Sequence, residues 1–298
     1  MKTIKLLIVF LFSAFQLVPA QEKKTDLRLN FLVSPRLDHF DAAPVSFQVQ
    51  ARLMQFFHKK KMYVIIARSS EDMASQIIAI LEIRKAMIGN IWFDSHGHFT
   101  RRRSLFEIGN DEFNYKSIRD SCFTIHLKKL SLYCDTNTNA GIGSCYGGAT
   151  YSLPAVEEFP EQRMNGDSLM IGLSEVLNNA SVYGSESFVM TGPGILNASY
   201  AFSGNPGRKK FKDPVYEPVW KKLGEWNCYS GKEKKFTETV TVSLNQDGRI
   251  SFKHKNYLEF EKNREKWVKK LSRLKRGNFN IATLYQEKNG PGPVGKSK

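Results

Sequence analysis

The chain has 298 residues, with 44 Lys+Arg against 29 Asp+Glu (formal charge +15), 41 % hydrophobic and 24 % charged residues. This is globular composition and excludes a disordered, collagenous or coiled-coil chain; the length suits one large domain or two small ones, with enough chain to bury a core. A strongly basic balance points toward polyanions only if the charge is spread over the whole molecule.

It is not. Residues 1–20 carry Lys2 and Lys5, an apolar run from Leu6 to Phe15, and Val18-Pro19-Ala20. Charged n-region, short apolar core and small-residue cleavage site together predict a secretory signal peptide, a mature chain from Gln21, and a secreted or periplasmic location. The run is too short for a bilayer, which needs roughly 20 residues per helix, and no later stretch predicts a transmembrane segment. Gln21 to Asn205 holds 19 basic and 19 acidic residues, whereas Pro206 to Lys298 holds 23 against 10. The shift predicts an N-terminal segment at 21–60 (a candidate prosegment), a neutral domain at 61–205, a basic C-terminal module at 206–286, and a disordered Gly-Pro-rich tail at 287–298.

In chain order, Met62 to Ala67 is a short apolar, β-rich run and predicts a strand. Ser69 and the acidic Glu71-Asp72 open a helix reaching about Met87, with Gly89 as its stop. Asn90 to Ser95 predicts a second strand, which completes a βαβ unit and ends in His96-Gly97-His98. After Arg101-Arg102-Arg103, a helix is expected from about Tyr115 to Leu132, then a third strand over Ala140 to Ser144. Cys145-Tyr146-Gly147-Gly148 follows. Gly166-Asp167 opens another helix to about Asn178, and Ala180 to Gly184 is a fourth strand. The alternation predicts an α/β fold with a mostly parallel sheet, helices on both faces, and a ligand site at the carboxyl ends of strands. His96 and Cys145 both fall there.

A thiol with an ordinary pKa of about 8.5 is mostly protonated at neutral pH, so a cysteine nucleophile needs a basic partner, and histidine supplies one. Backbone amides beside glycine can stabilise the oxyanion of an acyl-transfer reaction. Four dispersed cysteines (Cys122, Cys134, Cys145, Cys228) without CxxC spacing argue against a disulfide framework and structural zinc.

A strand ending in His-Gly, a helix, and a short strand ending in Ser-Cys-x-Gly-Gly resembles the caspase, metacaspase and gingipain group of cysteine peptidases. The resemblance covers Lys61 to Val189, including the 49-residue separation of His96 from Cys145. It implies a caspase-like fold and an endopeptidase with a Cys-His dyad. Cys145 is then the nucleophile and His96 the catalytic histidine, with the amides of Gly97 and Cys145 as oxyanion hole. Asp94 is a supporting residue, and Ser144, Ser185 and Glu186 are substrate-binding candidates. Many members of that group carry Asp two residues before the nucleophile, where this chain has Gly143.

Other readings compete. Gly143-Ser-Cys-Tyr-Gly147 also fits a nucleophile elbow with Cys in place of Ser, an α/β-hydrolase signature. An elbow runs straight into a helix, which Pro154 and Pro160 disfavour, and its histidine follows the nucleophile, where the chain has only His254. Asp94-x-His96-x-His98 puts three metal-ligating types on one strand face, without a second cluster to complete a site. Asp94 otherwise reads as a solvated or hydrogen-bonding strand residue, and Glu186 as a surface carboxylate or a partner for a basic side chain.

In the C-terminal third, Thr239 to Ser243 and Arg249 to Phe252 flank an Asp247-Gly248 turn and predict a β-hairpin. A helix from Tyr257 to Arg276 should follow, apolar through Phe260, Trp267, Val268, Leu271 and Leu274. Its lysines and arginines are either a solvated face or a surface for an acidic or anionic partner. A catalytically silent binding protein using that surface is the main alternative to a peptidase. No cofactor, metal or nucleic acid is expected, and the expected partner is a polypeptide substrate.

Overall fold

The computed structural model describes residues 27–36, 56, 62–97, 103–150, 152–153, 162–186, 189–191, 201–203, 225–237, 240–244 and 247–254. The signal segment, the Tyr257–Arg276 helix and the tail lie outside these residues.

Expected strands and helices recur with shifted ends. They are β2 (Met62–Ala67), α1 (Ser70–Arg84) and β3 (Met87–Phe93). Further along come β6 (Asn139–Ile142), α3 (Gly166–Val176) and β9 (Ser181–Ser185). Ser69 is extended and its hydroxyl accepts the Asp72 N–H, which caps α1 as its residue type predicts. The helix stops earlier than expected. Lys85, not Gly89, takes the left-handed conformation, with φ 49°, while Gly89 lies inside β3. The segment before the expected Tyr115–Leu132 helix is a hairpin of β4 (Leu105–Ile108) and β5 (Asp111–Asn114), and the helix itself is broken into a 3-10 turn (Ser117–Arg119), a six-residue α2 (Ile125–Leu130) and a second 3-10 turn (Ser131–Tyr133).

A strand the sequence reading left unassigned lies next to the edge of the sheet. β1 (Arg28–Pro35) lies between β2 and β3, parallel to both, and is buried from Leu29 onward. This part of the candidate prosegment is therefore a core strand. Five strands run parallel in the order β2, β1, β3, β6, β9. The sheet continues antiparallel through β12 (Trp226–Ser230) to β14 (Val240–Leu244) and β15 (Ile250–His254), with β13 (Lys235–Phe236) also paired to β12. The charge shift near residue 206 thus falls within one continuous sheet. Short pairs β7–β8 (Ser152–Leu153, Gln162–Arg163) and β10–β11 (Val189–Thr191, Ala201–Ser203) stand apart from it.

Helices on both faces were expected, but all three described helices pack on one. Met73, Ile77 and Leu81 of α1, Leu127 and Leu130 of α2, and Leu169, Met170 and Leu173 of α3 share one apolar cluster with Phe31, Ile91, Phe93, Ala140, Ile142 and Val182. The opposite face carries Leu32, Met62, Trp92, Tyr183, Trp226 and Cys228 together with Val242 and Ile250 of the C-terminal hairpin. That hairpin doubles back over the sheet. At its turn, Gly248 has φ +78°, and a Cβ there would lie 2.9 Å from Asn30 Cβ. Under the turn runs a row of amides: Asn139 donates to Asn90 (3.2 Å), Asn90 to Asn30 (2.8 Å), and Asn30 to the Asp247 carbonyl (2.8 Å). The Ile250 N–H also donates to Asn90 Oδ1 at 3.1 Å. A buried amide needs its donors and acceptors met, and this row meets them with the hairpin. Among the described residues no helix is long and apolar enough to cross a membrane.

Candidate active site

β3 and β6 are neighbours, with Phe93 opposite Ile142, so the segments leaving their carboxyl ends run side by side. The Gly143 N–H donates to the Phe93 carbonyl at 2.8 Å, which extends the ladder one step past β6. Gly97 then lies against Cys145. A Cβ built on Gly97 would be 1.9 Å from the Cys145 carbonyl oxygen and 2.6 Å from its nitrogen. Only glycine permits that approach. Residues 49 apart in sequence, His96 with its glycine and Cys145 with its own, are thus brought to one place by two adjacent strands.

The turn at 145–148 is fixed from three sides. Ser144 is fully buried and its hydroxyl donates to the Leu105 carbonyl on β4. This aims the side chain away from the thiol, so Ser144 anchors the loop instead of meeting substrate. Ser104 donates to the carbonyls of Tyr146 (2.7 Å) and Ala149 (3.1 Å). On the far side the Gly148 N–H donates to the Ser185 carbonyl (2.9 Å), and Asn227 donates to the Gly148 carbonyl (2.8 Å). Gly148 and Gly184 pack backbone to backbone, a Cβ on Gly148 falling 2.2 Å from the Gly184 carbonyl oxygen. The glycines after Cys145, expected to open space for substrate, here allow the chain's own close packing. Tyr146, between Cys145 and Gly147, is in the left-handed region (φ 63°), a conformation costing a non-glycine residue about 1–2 kcal/mol. Its burial and the Ser104 hydrogen bond hold it there.

Along this extension Gly143 faces Trp92 and Ser144 faces β4, while Cys145 Sγ meets Val189 of β10, which packs against the Trp92 and Trp226 cluster. The Val189 N–H donates to the sulfur at 3.5 Å and its carbonyl lies 3.8 Å away. The thiol thus both accepts from and donates to the Val189 backbone. Gly97 is buried, and among the described residues its N–H bonds to no backbone carbonyl.

The remaining candidates divide. Ser185 is fully buried at the end of β9, opposite Trp226. Glu186 is not a surface carboxylate: it is 3 % exposed and accepts from Asn227 (2.6 Å) and Thr150 (3.3 Å). Since Asn227 also holds Gly148, Glu186 braces the cysteine turn. Asp94 is not a solvated residue either. It is 5 % exposed, and burial alone pushes its carboxyl up to about 7. No hydrogen bond to that carboxylate is found among the described residues.

No three-residue cluster of His, Cys, Asp or Glu suited to a metal occurs among the described residues, and His98 lies outside them. After Cys145 the chain forms a turn, not the helix an elbow requires. None of the four cysteines is in a disulfide. Cys134 and Cys228 are buried, with thiols pushed up by desolvation, Cys134 to about 12. Cys122 is exposed. Sequence reasoning missed the supporting parts, the β4–β5 hairpin and Asn227. Ile108-Gly109-Asn110-Asp111 between apolar runs was a readable turn signal for the hairpin, while nothing local marks Asn227. Comparison with protein-family models, with curated proteins and with solved structures gave no match to this chain.

Proposed function

We propose that the protein is an exported cysteine endopeptidase of caspase-like type, with Cys145 as nucleophile and His96 as its base. The observation that carries this reading is the contact of Gly97 with Cys145, which sets the histidine segment against the nucleophile turn at the ends of adjacent strands. In the reaction His96 takes the Cys145 proton and the sulfur attacks the peptide carbonyl carbon. The carbonyl oxygen becomes an oxyanion facing the N–H groups of Gly97 and Cys145. Collapse of this intermediate breaks the C–N bond, and the leaving amine takes its proton from His96. Water, deprotonated by His96, then hydrolyses the thioester and restores the thiol. The left-handed Tyr146 and the buried braces at Ser104, Asn227 and Glu186 support the reading, because they fix a strained turn that has no evident purpose other than presenting Cys145.

The test is hydrolysis of a quenched-fluorescent peptide library by the mature chain, with Cys145→Ala and His96→Ala alongside. Activity that disappears in both variants, with unchanged melting temperature, supports the proposal. Full activity in Cys145→Ala contradicts it.

A further inference from the structure

The β4–β5 hairpin braces the cysteine turn, and it also carries a cavity that this bracing does not use. Where the hairpin runs into the 3-10 turn Ser117–Arg119, a cavity of about 380 Å³ is lined by Arg103, Tyr115, Lys116, Asp120 and Phe123 among others. Arg103 immediately precedes Ser104, whose hydroxyl donates to the Tyr146 carbonyl at 2.7 Å. Consecutive Cα atoms are about 3.8 Å apart, so Arg103 and Cys145 lie within roughly 15 Å, a span that about five residues of extended peptide cover. The cavity belongs to the β4 side of the nucleophile turn, the side Ser144 faces, whereas the thiol meets Val189.

Its donors outnumber its acceptors. Arg103 Nη2 donates to Glu112 Oε1 at 2.6 Å, an oxygen that also accepts from Asn114 at 3.0 Å. Among the described residues Arg103 Nε is buried without a partner, while the side chain as a whole is still 35 % exposed. A guanidinium carries five N–H groups, so most of these await an acceptor that an incoming group can supply. Lys116 Nζ lies over the Tyr115 ring, 5.6 Å from its centroid, and forms no ion pair among the described residues. Phe123 is exposed at the rim, its ring edge-on to Phe113, and Ile125 two residues on is exposed as well.

These groups select among ligands. A cation would be repelled by Arg103 and Lys116. A dianionic phosphate would meet Asp120 in the lining and Glu112 beside Arg103. A single carboxylate matches the guanidinium fork without that conflict, and the aromatic rim suits an apolar neighbour on the same chain. Resting on the peptidase reading above, we propose that this cavity is a docking site for the polypeptide substrate, remote from the bond that is cut. Arg103 and Lys116 take one glutamate or aspartate side chain of the substrate, and Phe123 and Ile125 take an apolar residue beside it.

The experiment uses quenched-fluorescent peptides of one cleavable sequence in which a single glutamate is moved through the other positions, each with a glutamine counterpart. KM and kcat are measured in the wild-type chain, Arg103→Gln and Lys116→Gln, with thermal melting as the check on folding. Anisotropy of the same peptides on Cys145→Ala gives Kd without cutting. One glutamate position, within about five residues of the cut bond, should lower KM and Kd roughly five-fold against glutamine with kcat unchanged, the scale of a part-exposed charged pair. Added salt should shrink the difference, Lys116→Gln should reduce it and Arg103→Gln should erase it. If Arg103→Gln does not fold, Arg103→Lys takes its place: it keeps the charge without the fork, so the glutamate preference should fall but persist. Cleavage with no preferred glutamate position overturns the docking site and leaves the peptidase reading standing. A preference untouched by the Arg103 variant overturns the role of the cavity. Glutamate-dependent binding without any cleavage overturns the peptidase reading and leaves the cavity as a site for acidic peptides; absence of both overturns both.

Discussion

On the helical side of the sheet, Phe31, Ile91, Phe93, Ile142 and Val182 meet three helices in a continuous apolar layer. On the other side the same strands carry Asn30, Asn90, Asn139, Trp92, Ser34 and Asp94. The first face is ordinary core, where burial contributes about 25 cal/mol per Å² and no polar group needs explaining. The second is divided within itself: amides at one end are matched by the returning hairpin, and among the described residues Ser34 Oγ and the indole N–H of Trp92 at the other end, beside Cys145, have no partner. One physical rule, that buried polar groups should be paired, separates a structural clasp from a site. Five substitutions break or sharpen this contrast.

On the proposed mechanism, the largest effect belongs to Cys145 and His96. Cys145→Ala should remove peptide hydrolysis entirely, and His96→Ala should lower it by roughly 10²–10⁴-fold, the usual contribution of a positioned base. Steady-state cleavage of one peptide by both variants measures this. Cys122, being exposed, is best replaced by Ser in any labelling work, so that only one accessible thiol remains.

Gly97→Ala comes next. Its Cβ would fall 1.9 Å from the Cys145 carbonyl oxygen, so the two segments must separate. A displacement near 1 Å typically costs about 10²-fold in rate, and overpacking costs about 1–3 kcal/mol of stability. Paired kinetics and urea unfolding should therefore show a large loss of activity with a modest loss of stability.

Asp94→Asn should stabilise the chain in a pH-dependent way. In the fold burial pushes its carboxyl up to about 7, from an ordinary 3.8. The folded state thus holds its proton more tightly than the unfolded one. Stability linked to this group is full below pH 4, falls as pH rises toward 7, and stays low above it. A shift of about three units corresponds to about 4 kcal/mol at most. Unfolding free energies at pH 4.5 and pH 8 should show a gain for the variant mainly at pH 8; equal effects at both would mean that Asp94 is not buried as described.

Asn90→Ala should do the reverse of a site change. It removes the centre of the amide row, leaving its partners on Asn30, Asn139 and Ile250 unmatched, at a cost of about 1–3 kcal/mol. Activity at a temperature where the variant is folded should equal that of the wild type. A change in kcat would show that the clasp and the site are coupled.

Much of this was readable from residue patterns. β2 matches the expected Met62 to Ala67, and Ser69 caps α1 as its neighbours predicted. His96 and Cys145 fall together because both leave parallel neighbours at their carboxyl ends, a consequence of topology that spacing could anticipate. Three features were illegible for physical reasons. β1 is buried on both faces, so Leu29 to Val33 shows no alternation, and Asn30 and Ser34 interrupt its apolar run. Helix α1 ends on a left-handed lysine, a position composition alone assigns to Gly89. Burial of Glu186 depends on Asn227, 41 residues away on a strand the reading did not place. The one-faced arrangement of the described helices was hidden too, because a returning hairpin covers a sheet as well as a helix does.

The reactivity of Cys145 as a function of pH tests the central claim most directly. Iodoacetamide alkylation, resolved by peptide mapping in the Cys122→Ser chain, should proceed rapidly on Cys145 at pH 6 and collapse there in His96→Ala. An ordinary thiol at pH 6 is almost wholly protonated and reacts slowly. If Cys145 reacts no faster than a small free thiol at pH 6, and His96→Ala leaves its rate unchanged, the two residues do not form a dyad and the catalytic account fails.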